Sequence, residues 1–465
     1  MDEEPTHVET HLTPDPVAAA EPRAVGEGGR LRKAARALAV DVTPLKVSRD
    51  FRLLFFGQAV TFFGSMMTFV VLPWQMYRLT GSTVAVGMLG VAEFVPILLM
   101  AFVGGALADY FDRRRMVLLT ELALAAGTGV LILNSLLPQP RVWVLYVCAS
   151  LFAALNGLQR PSLDSLIPRL VPPELLTSAA ALRSVGLTAG MIGGPALGGV
   201  LVAAFGPVVA YSIDFATFAA SLAALALLRA VPPPPGADRP SVRTVVEGLR
   251  YARGRPELMG TYLVDINAMF FGMPMALFPA ISEPLGGPKV LGLLYAAPAA
   301  GALLATLTSG WSKHVNRHGL AVCLAASVWG LAIIGFGFAP GLWAALLCLA
   351  LAGAADMVSG LFRMTIWNQT IPDHLRGRLA GVEMVSYTAG PLLGNAEAGV
   401  VARLFGVHAS VVSGGVMCVL GTGVLALLLP AFLRYDGREG LKRKAAEDEA
   451  RAASLGPAGE TLTET

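Results

Sequence analysis

Apolar residues in this chain come in long blocks. They do not alternate as in a half-buried strand, nor recur every three or four residues as on a surface helix. Each block runs for about twenty residues or more, the length an α-helix needs to cross the hydrocarbon of a bilayer. Twelve blocks can be drawn, at roughly 53–77, 83–108, 116–137, 142–166, 176–204, 207–229, 257–282, 290–311, 320–339, 342–371, 379–404 and 408–433. The polar stretch 230–256 divides them into two sets of six. It opens with Pro232 to Pro235 and carries Arg239, Arg243, Arg250, Arg253 and Arg255. The pattern predicts an all-α polytopic membrane protein of twelve transmembrane helices. Two six-helix bundles are expected, over 51–229 and 257–433, joined by a cytoplasmic loop over 230–256. The flanking segments, 1–50 and 434–465, read as disordered cytoplasmic tails. Leu31 to Val40 has the makings of a short basic surface helix within the first of them.

Composition agrees with the blocks. Hydrophobic residues make up 55% of the chain and charged residues 14%, against roughly 25% charged in a soluble domain. The mean hydropathy is +0.63. A net charge of +3 is too small to point to nucleic acid. Cys148, Cys323, Cys348 and Cys418 all fall inside apolar runs without metal-ligand or CxxC spacing, so they read as small core residues. No metal or cofactor is expected. No apolar segment precedes residue 51, so no cleaved signal peptide is expected and the first span serves as the insertion signal.

Lys and Arg set the expected orientation. With the N-terminus inside, 28 of the 35 fall in cytoplasmic segments, four outside and three within spans. This asymmetry places both termini in the cytoplasm. The two halves also echo each other. Val86-Gly87-Met88-Leu89 leads to Gly105 as Leu291-Gly292-Leu293-Leu294 leads to Gly310. Ile167-Pro168 ends span 4 and Ile371-Pro372 ends span 10. Gly194-Pro195-Ala196-Leu197-Gly198 in span 5 returns as Gly390-Pro391-Leu392-Leu393-Gly394 in span 11. Parallel six-helix repeats place a ligand site between the halves, near the midplane.

Four sets of residues carry candidate chemistry. The first is the turn Gly104 to Met116, where Asp109, Asp112 and three consecutive arginines interrupt the apolar pattern. Hydrocarbon does not tolerate such a cluster, so this is an aqueous turn on the cytoplasmic side. Gly105, Asp109, Arg113, Arg114 and Asp164 are its candidate gate residues, with an arginine expected to reach Asp164 at the inner end of span 4; a basic turn that only fixes topology is the alternative. The second is Gly190, Gly194, Pro195, Gly198 and Gly199 in span 5, small residues spaced to admit a close neighbour. The third is the set of ionisable residues within spans. Glu93, Asp265, Asp214, Arg160, Asp356 and Arg363 are the candidates for ion coupling, with the carboxylates Glu93 and Asp265 first as proton carriers; most such groups serve as structural pairs. Arg160 and Asp164 lie one helical turn apart and Asp356 and Arg363 two turns, so each pair shares a face. Gln75, Asn156, Asn267, Phe271 and Trp367 are candidates to line a cavity for an aromatic or amphipathic small molecule. No GxxxxGK[ST] loop and no HExxH-type cluster occurs, which argues against an ATPase and a membrane enzyme. A sensor that does not transport is the remaining alternative of another class.

The stretches Leu79 to Thr83, Gly104 to Arg115, Ile167 to Val171, Asp214 to Phe218 and Leu294 to Pro298 carry a family resemblance. From Asp50 to Arg434 the chain resembles the branch of the major facilitator superfamily that holds bacterial siderophore (enterobactin) exporters and macrolide-efflux-like proteins. The basic turn resembles that family's turn between helices 2 and 3, except that Tyr110 and Asp112 replace its usual basic residue and glycine. The span 5 pattern G-x3-GP-x2-GG is that of the family's drug antiporters. The resemblance implies a monomeric inner-membrane antiporter that exports a siderophore or another hydrophobic or aromatic molecule in exchange for protons. A multidrug or macrolide pump is the alternative it leaves open. It also implies that Asp109 faces the start of helix 11, near Gly377 to Leu379. On this reading Asp109→Asn lowers transport without loss of expression, measured as efflux at matched protein level; full activity would remove Asp109 from the gate.

Overall fold

The computed structural model describes residues 40–110, 112–229, 250–372 and 375–455. Side chains at 101–110, 161, 377, 378, 380, 381, 448 and 450–455 are outside that description. The N-terminal bundle holds α1 (Arg49–Thr80), α2 (Thr83–Tyr110), α3 (Arg113–Leu136), α4 (Val142–Leu170), α5 (Leu176–Phe205) and α6 (Pro207–Ala226). The C-terminal bundle holds α7 (Pro256–Phe271), α8 (Pro288–Leu307), α9 (His318–Gly337), α10 (Leu342–Thr370), α11 (Arg376–Phe405) and α12 (Val407–Leu428). Among the described residues eleven helices are long and apolar enough to cross a membrane. The twelfth expected span, α11, has 30 residues but carries Glu383, Asn395, Glu397 and Arg403. It packs against α2, α7 and α12 as a member of the bundle.

Helix neighbours repeat between the halves. In the first, α1 packs on α5 and α6, α2 on α4, and α3 on α4 and α6. In the second, α7 packs on α11 and α12, α8 on α10, and α9 on α10 and α12. The halves meet where α2 lies against α11 and α5 against α8, two contacts related by the same repeat. Large apolar side chains such as Leu347, Leu404 and Leu427 point away from the bundles, where lipid replaces water.

Glycine sets the tightest approaches. Hydrocarbon gives no hydrophobic drive between helices, so packing rests on close contact of small residues. A Cβ at Gly353 of α10 would overlap the Pro298 carbonyl oxygen of α8, and one at Gly301 of α8 would overlap the Ala350 carbonyl oxygen of α10.

Three expectations are corrected. The first tail does not extend to residue 50. A short helix, Thr43–Val47, precedes α1, and the Ser48 hydroxyl accepts from the Phe51 amide at 3.1 Å as the cap of α1. The last tail is helical over Gly437–Leu455, here α13. Its Lys, Arg, Ala and Glu are strong helix formers, and its charges have partners: Arg443 reaches Glu257 at 3.2 Å and Glu447 pairs with Arg255. Span 7 is also broken. After α7 the chain passes through Gly272 and Pro274 into a 3₁₀ turn, Met275–Leu277, and a short helix, Phe278–Leu285. Trp329 Nε1 donates to the Gly272 carbonyl and Asn395 Oδ1 accepts from the Ala276 amide, each at 3.0 Å. These side chains satisfy backbone groups that the break would leave bare in the membrane.

Gly353→Val should loosen the α8–α10 seam. Overpacking of this kind costs about 1–3 kcal/mol, read as a lower melting temperature of the purified protein.

Candidate functional site

The span 5 glycines work on two faces. Gly190, Gly194 and Gly198 face α1, where a Cβ would lie 2.5 Å from Phe62 Cδ1, 2.5 Å from Met66 Cβ and 3.0 Å from Met67 Cα respectively. Gly199 faces α8: a Cβ there would lie 2.8 Å from the Gly292 nitrogen, and one at Gly292 would overlap the Pro195 carbonyl oxygen. The seam thus joins α5 to its own bundle and to the other half. The repeat places Gly87 and Gly90 of α2 against the Asn395 and Leu392 backbones of α11.

These cross-bundle contacts lie toward the ends of the helices expected outside. Thr83 Oγ1 donates to the Gly399 carbonyl at 3.0 Å. Arg78 reaches Glu283 at 3.8 Å, and Phe69 of α1 meets Tyr295 of α8 edge to face, with ring centroids 5.5 Å apart. Together they seal one end of the interface between the halves.

Nearer the opposite ends, charged and polar groups are open. Asn156 and Arg160 of α4 are exposed, and Asp164, half-exposed, pairs with Arg183 of α5. Arg160 lies 6.0 Å from the ring centroid of Tyr387 of α11, across the interface, at the outer limit of a cation–π contact. Charged groups on spanning helices are costly in lipid and favour water or a partner, which makes this face the candidate cargo cleft.

Gate residues are arranged differently from expectation. Gly105 and Asp109 fall among the side chains outside the described residues. The pairing of Arg113 or Arg114 with Asp164 is not formed, because Asp164 turns to Arg183. Arg114 instead donates to the Leu225 and Ala226 carbonyls at 3.0 and 2.7 Å, capping the end of α6. Arg113 donates to the Ser165 carbonyl at 3.3 Å. Asp112 caps α3, accepting from the Arg114 and Arg115 amides at 2.9 and 3.2 Å. The Arg160–Asp164 pair expected from spacing does not form either.

Asp265, Asp356 and Arg363 do come together. Arg363 pairs with Asp265 and reaches Asp356 at 3.4 Å. Asp265 and Arg363 are buried, yet Asp265 Oδ2 and Arg363 Nε lack hydrogen-bond partners. A small cavity beside the triad is lined by Asp265, Met269, Trp329, Asp356 and Ser359. Glu93, one turn from Gly90, is partly exposed and makes no hydrogen bond or ion pair among the described residues. Asp214 is buried inside the N-terminal bundle among hydroxyls.

Four of the five expected cavity residues lie elsewhere. Gln75 is buried between Ser135 and Tyr211, at 2.9 and 2.8 Å. Asn267 donates to the Cys418 carbonyl at 3.0 Å, inside the C-terminal bundle. Trp367 is buried, with Nε1 on Thr261 Oγ1 at 2.8 Å. Phe271 packs edge to face on Phe270 against the bundle core. Polar and aromatic side chains in these spans found partners within their own bundle, which residue type alone does not reveal. Only Asn156 stays open. Two residues were missed. Asn395 holds the break in span 7, and Glu121 of α3 is fully buried against Gln58 and Gln159. Glu121 follows three arginines by six positions and reads as part of a helix end; its heptad spacing to Thr128 and Ser135 was the available signal.

A model of the transmembrane secretion effector family matches residues 39–444. The chain belongs to this family. The enterobactin exporter EntS of Escherichia coli K12 is 30% identical over 401 residues, covering 85% of this chain and 95% of the relative. Among solved structures, a POT family transporter in complex with 5-aminolevulinic acid superposes with a TM-score of 0.67 at 13% identity, over 83% of this chain and 97% of its own. A bacterial homologue of the human lysosomal transporter Spinster, inward-facing and unoccupied, gives 0.64 at 16% identity, over 84% and 97%. At such identities the likeness is one of fold. The chain is a membrane transporter with the twelve-helix major facilitator arrangement, related to an enterobactin exporter.

Burial separates the two ion-pair sites. Removing one partner of a buried pair costs about 3–5 kcal/mol, whereas an exposed pair is worth about 0–1 kcal/mol. Asp265→Ala should therefore lower the melting temperature well beyond Arg183→Ala, measured by thermal unfolding of both variants in the same detergent.

Proposed function

We propose that this transporter exports a siderophore or a similar hydrophobic, aromatic small molecule across the bacterial inner membrane, by alternating access and in exchange for protons. The observation that carries the reading is the contrast between the two ends of the interface. Glycine contacts close one end, while Arg160, Asp164 and Arg183 at the other are costly in lipid and favour water or a partner. That is the state in which cargo loads from the cytoplasm. Both termini lie in the cytoplasm, as the Lys and Arg distribution supports, and a single chain suffices for transport.

Cargo enters between α4, α5, α10 and α11, where Asn156, Arg160 and Tyr387 offer an amide, a cation and an aromatic face. A polyphenolic or hydroxamate siderophore presents groups that suit all three. Export is supported by the related exporter and by the secretion role of the family. Asp265 is the proposed proton acceptor of the C-terminal half: protonation removes its charge from Arg363 and weakens the pair, freeing α7 to move against α10. Asp356 then remains as the counter-ion of Arg363.

In a strain lacking the gene and starved of iron, a catechol or hydroxamate siderophore should accumulate in cells and fall in the medium, measured by mass spectrometry of both fractions. Unchanged secretion would overturn the siderophore assignment, and loss of drug resistance in the same strain would assign the cargo to a multidrug or macrolide class.

A further inference from the structure

The repeat carries the basic turn of the first half into the second with its charge changed. Gly310 stands where Gly105 stands, and four residues on His314 takes the place of Asp109. From Ser309 to His318 the chain holds Lys313, His314, Arg317 and His318 and no acidic residue. It leaves α8 through a 3₁₀ turn, Ser309–His314, and enters α9 at His318. Between this turn, the start of α9 and the end of α10 lies a cavity of about 240 Å³. Asn156, Arg160 and Tyr387 of the proposed cargo path are not among its lining residues.

The cavity has an apolar wall and a polar one. On the first, His318 stacks on Phe362 of α10, with ring centroids 5.5 Å apart. The exposed Trp311 leans on the same Phe362 at 6.0 Å. Tryptophan favours the boundary between membrane and water. Leu304 and Leu307, exposed on the last turn of α8, have lipid as their surroundings. The polar wall is formed by Ser312, Lys313, Thr365 and Gln369. Thr365 Oγ1 donates to the Leu361 carbonyl at 2.8 Å and keeps its lone pairs to accept. Tyr435 donates to Gln369 Oε1 at 3.4 Å, which leaves the amide nitrogen as the donor.

His318 is the lining group that the protein leaves unsatisfied. The residue is 8% exposed. Its Nε2 lies 3.0 Å from the Val315 carbonyl, which only accepts, so Nε2 carries the ring proton and Nδ1 holds a lone pair. Nδ1 is buried and has no hydrogen-bond partner. α9 begins at the same residue with no side chain capping it, so the positive end of its backbone dipole is also left for another group. Asp436, on the segment bridged to Arg317, turns its carboxylate to the Arg438 amide at 2.9 Å. No acidic residue lines the cavity. An occupant that satisfies these groups brings a negative charge for Lys313 and the helix end, and a hydroxyl for Nδ1.

We propose that this cavity binds a phosphate ester that also carries free hydroxyls, and that its occupant is the headgroup of an anionic glycerophospholipid, phosphatidylglycerol. The phosphate takes the Lys313 ammonium, the Ser312 hydroxyl and the Gln369 amide nitrogen. A headgroup hydroxyl donates to His318 Nδ1, with Thr365 beside it as a second acceptor. The acyl chains run into the lipid along Leu304 and Leu307. Soluble glycerol 3-phosphate offers the same polar groups without the chains. An occupied site ties the turn between α8 and α9 and the end of α10 to the bilayer surface.

The test is native mass spectrometry of the full chain released from detergent, with phosphatidylglycerol, phosphatidylethanolamine or glycerol 3-phosphate added in turn. Phosphatidylglycerol is expected to bind at the lowest concentration of the three. Lys313 is exposed, so Lys313→Ala keeps the fold; it should raise the phosphatidylglycerol needed for half occupancy about tenfold. Thr365→Phe, which fills the cavity without changing charge, and His318→Phe, which keeps the ring on Phe362 and removes Nδ1, should act in the same direction. Lys442→Ala, which removes an exposed charge from α13, should leave binding unchanged. Equal retention of the two lipids, an equal loss in Lys442→Ala, or binding unaffected by Lys313→Ala and Thr365→Phe would overturn the site. Glycerol 3-phosphate bound as tightly as the lipid would uphold the polar site and overturn the lipid as its source. The measurement uses no cargo, so an error in the siderophore assignment leaves its outcome intact.

Discussion

Polar groups in hydrocarbon must find a partner or water, and the arrangement of this protein follows from how each group meets that demand. Three solutions coexist. Asn156 and Arg160 stay exposed on α4, with Arg160 turned toward Tyr387 of the other half, and Asp164 pairs with Arg183 of α5. Asp265, Arg363 and Asp356 neutralise one another inside the C-terminal bundle. Glu121 and Asp214 are wrapped in amides and hydroxyls inside the N-terminal bundle. The backbone obeys the same demand at the break in span 7, where Trp329 and Asn395 supply the missing partners.

Close approach of helices is the second element, and it is built on the internal repeat. The pair Gly199–Gly292 on one side of the interface corresponds to Asn395–Gly87 on the other. One member has changed: Asn395 replaces the glycine and spends its side chain on the Ala276 amide. The repeat is therefore symmetric in backbone packing and asymmetric in chemistry. The two faces of the span 5 glycines explain how one motif serves two neighbours of α5: Gly190, Gly194 and Gly198 fix it to α1, while Gly199 meets the opposite half.

The amino-acid sequence by itself determined the membrane class, the span positions, the two-fold repeat and the family. All of these rest on properties written along the chain: apolar length, charge distribution and recurring glycines. It also brought together Asp356 and Arg363, because seven residues on a helix return to the same face. Tertiary structure alone decided which polar group meets which. Trp367, Asn267 and Gln75 have the chemistry of cavity residues, yet each is consumed by a partner on another helix of its own bundle. Asp164 chose Arg183 of α5 over its neighbour Arg160 and over the basic turn. Glu121 became a buried carboxyl only when α1, α4 and α6 closed around it. The hydrophobic pattern reports that a helix is in the membrane; the rotation of that helix, which sends each polar side chain to lipid, cleft or core, is set by packing against its neighbours.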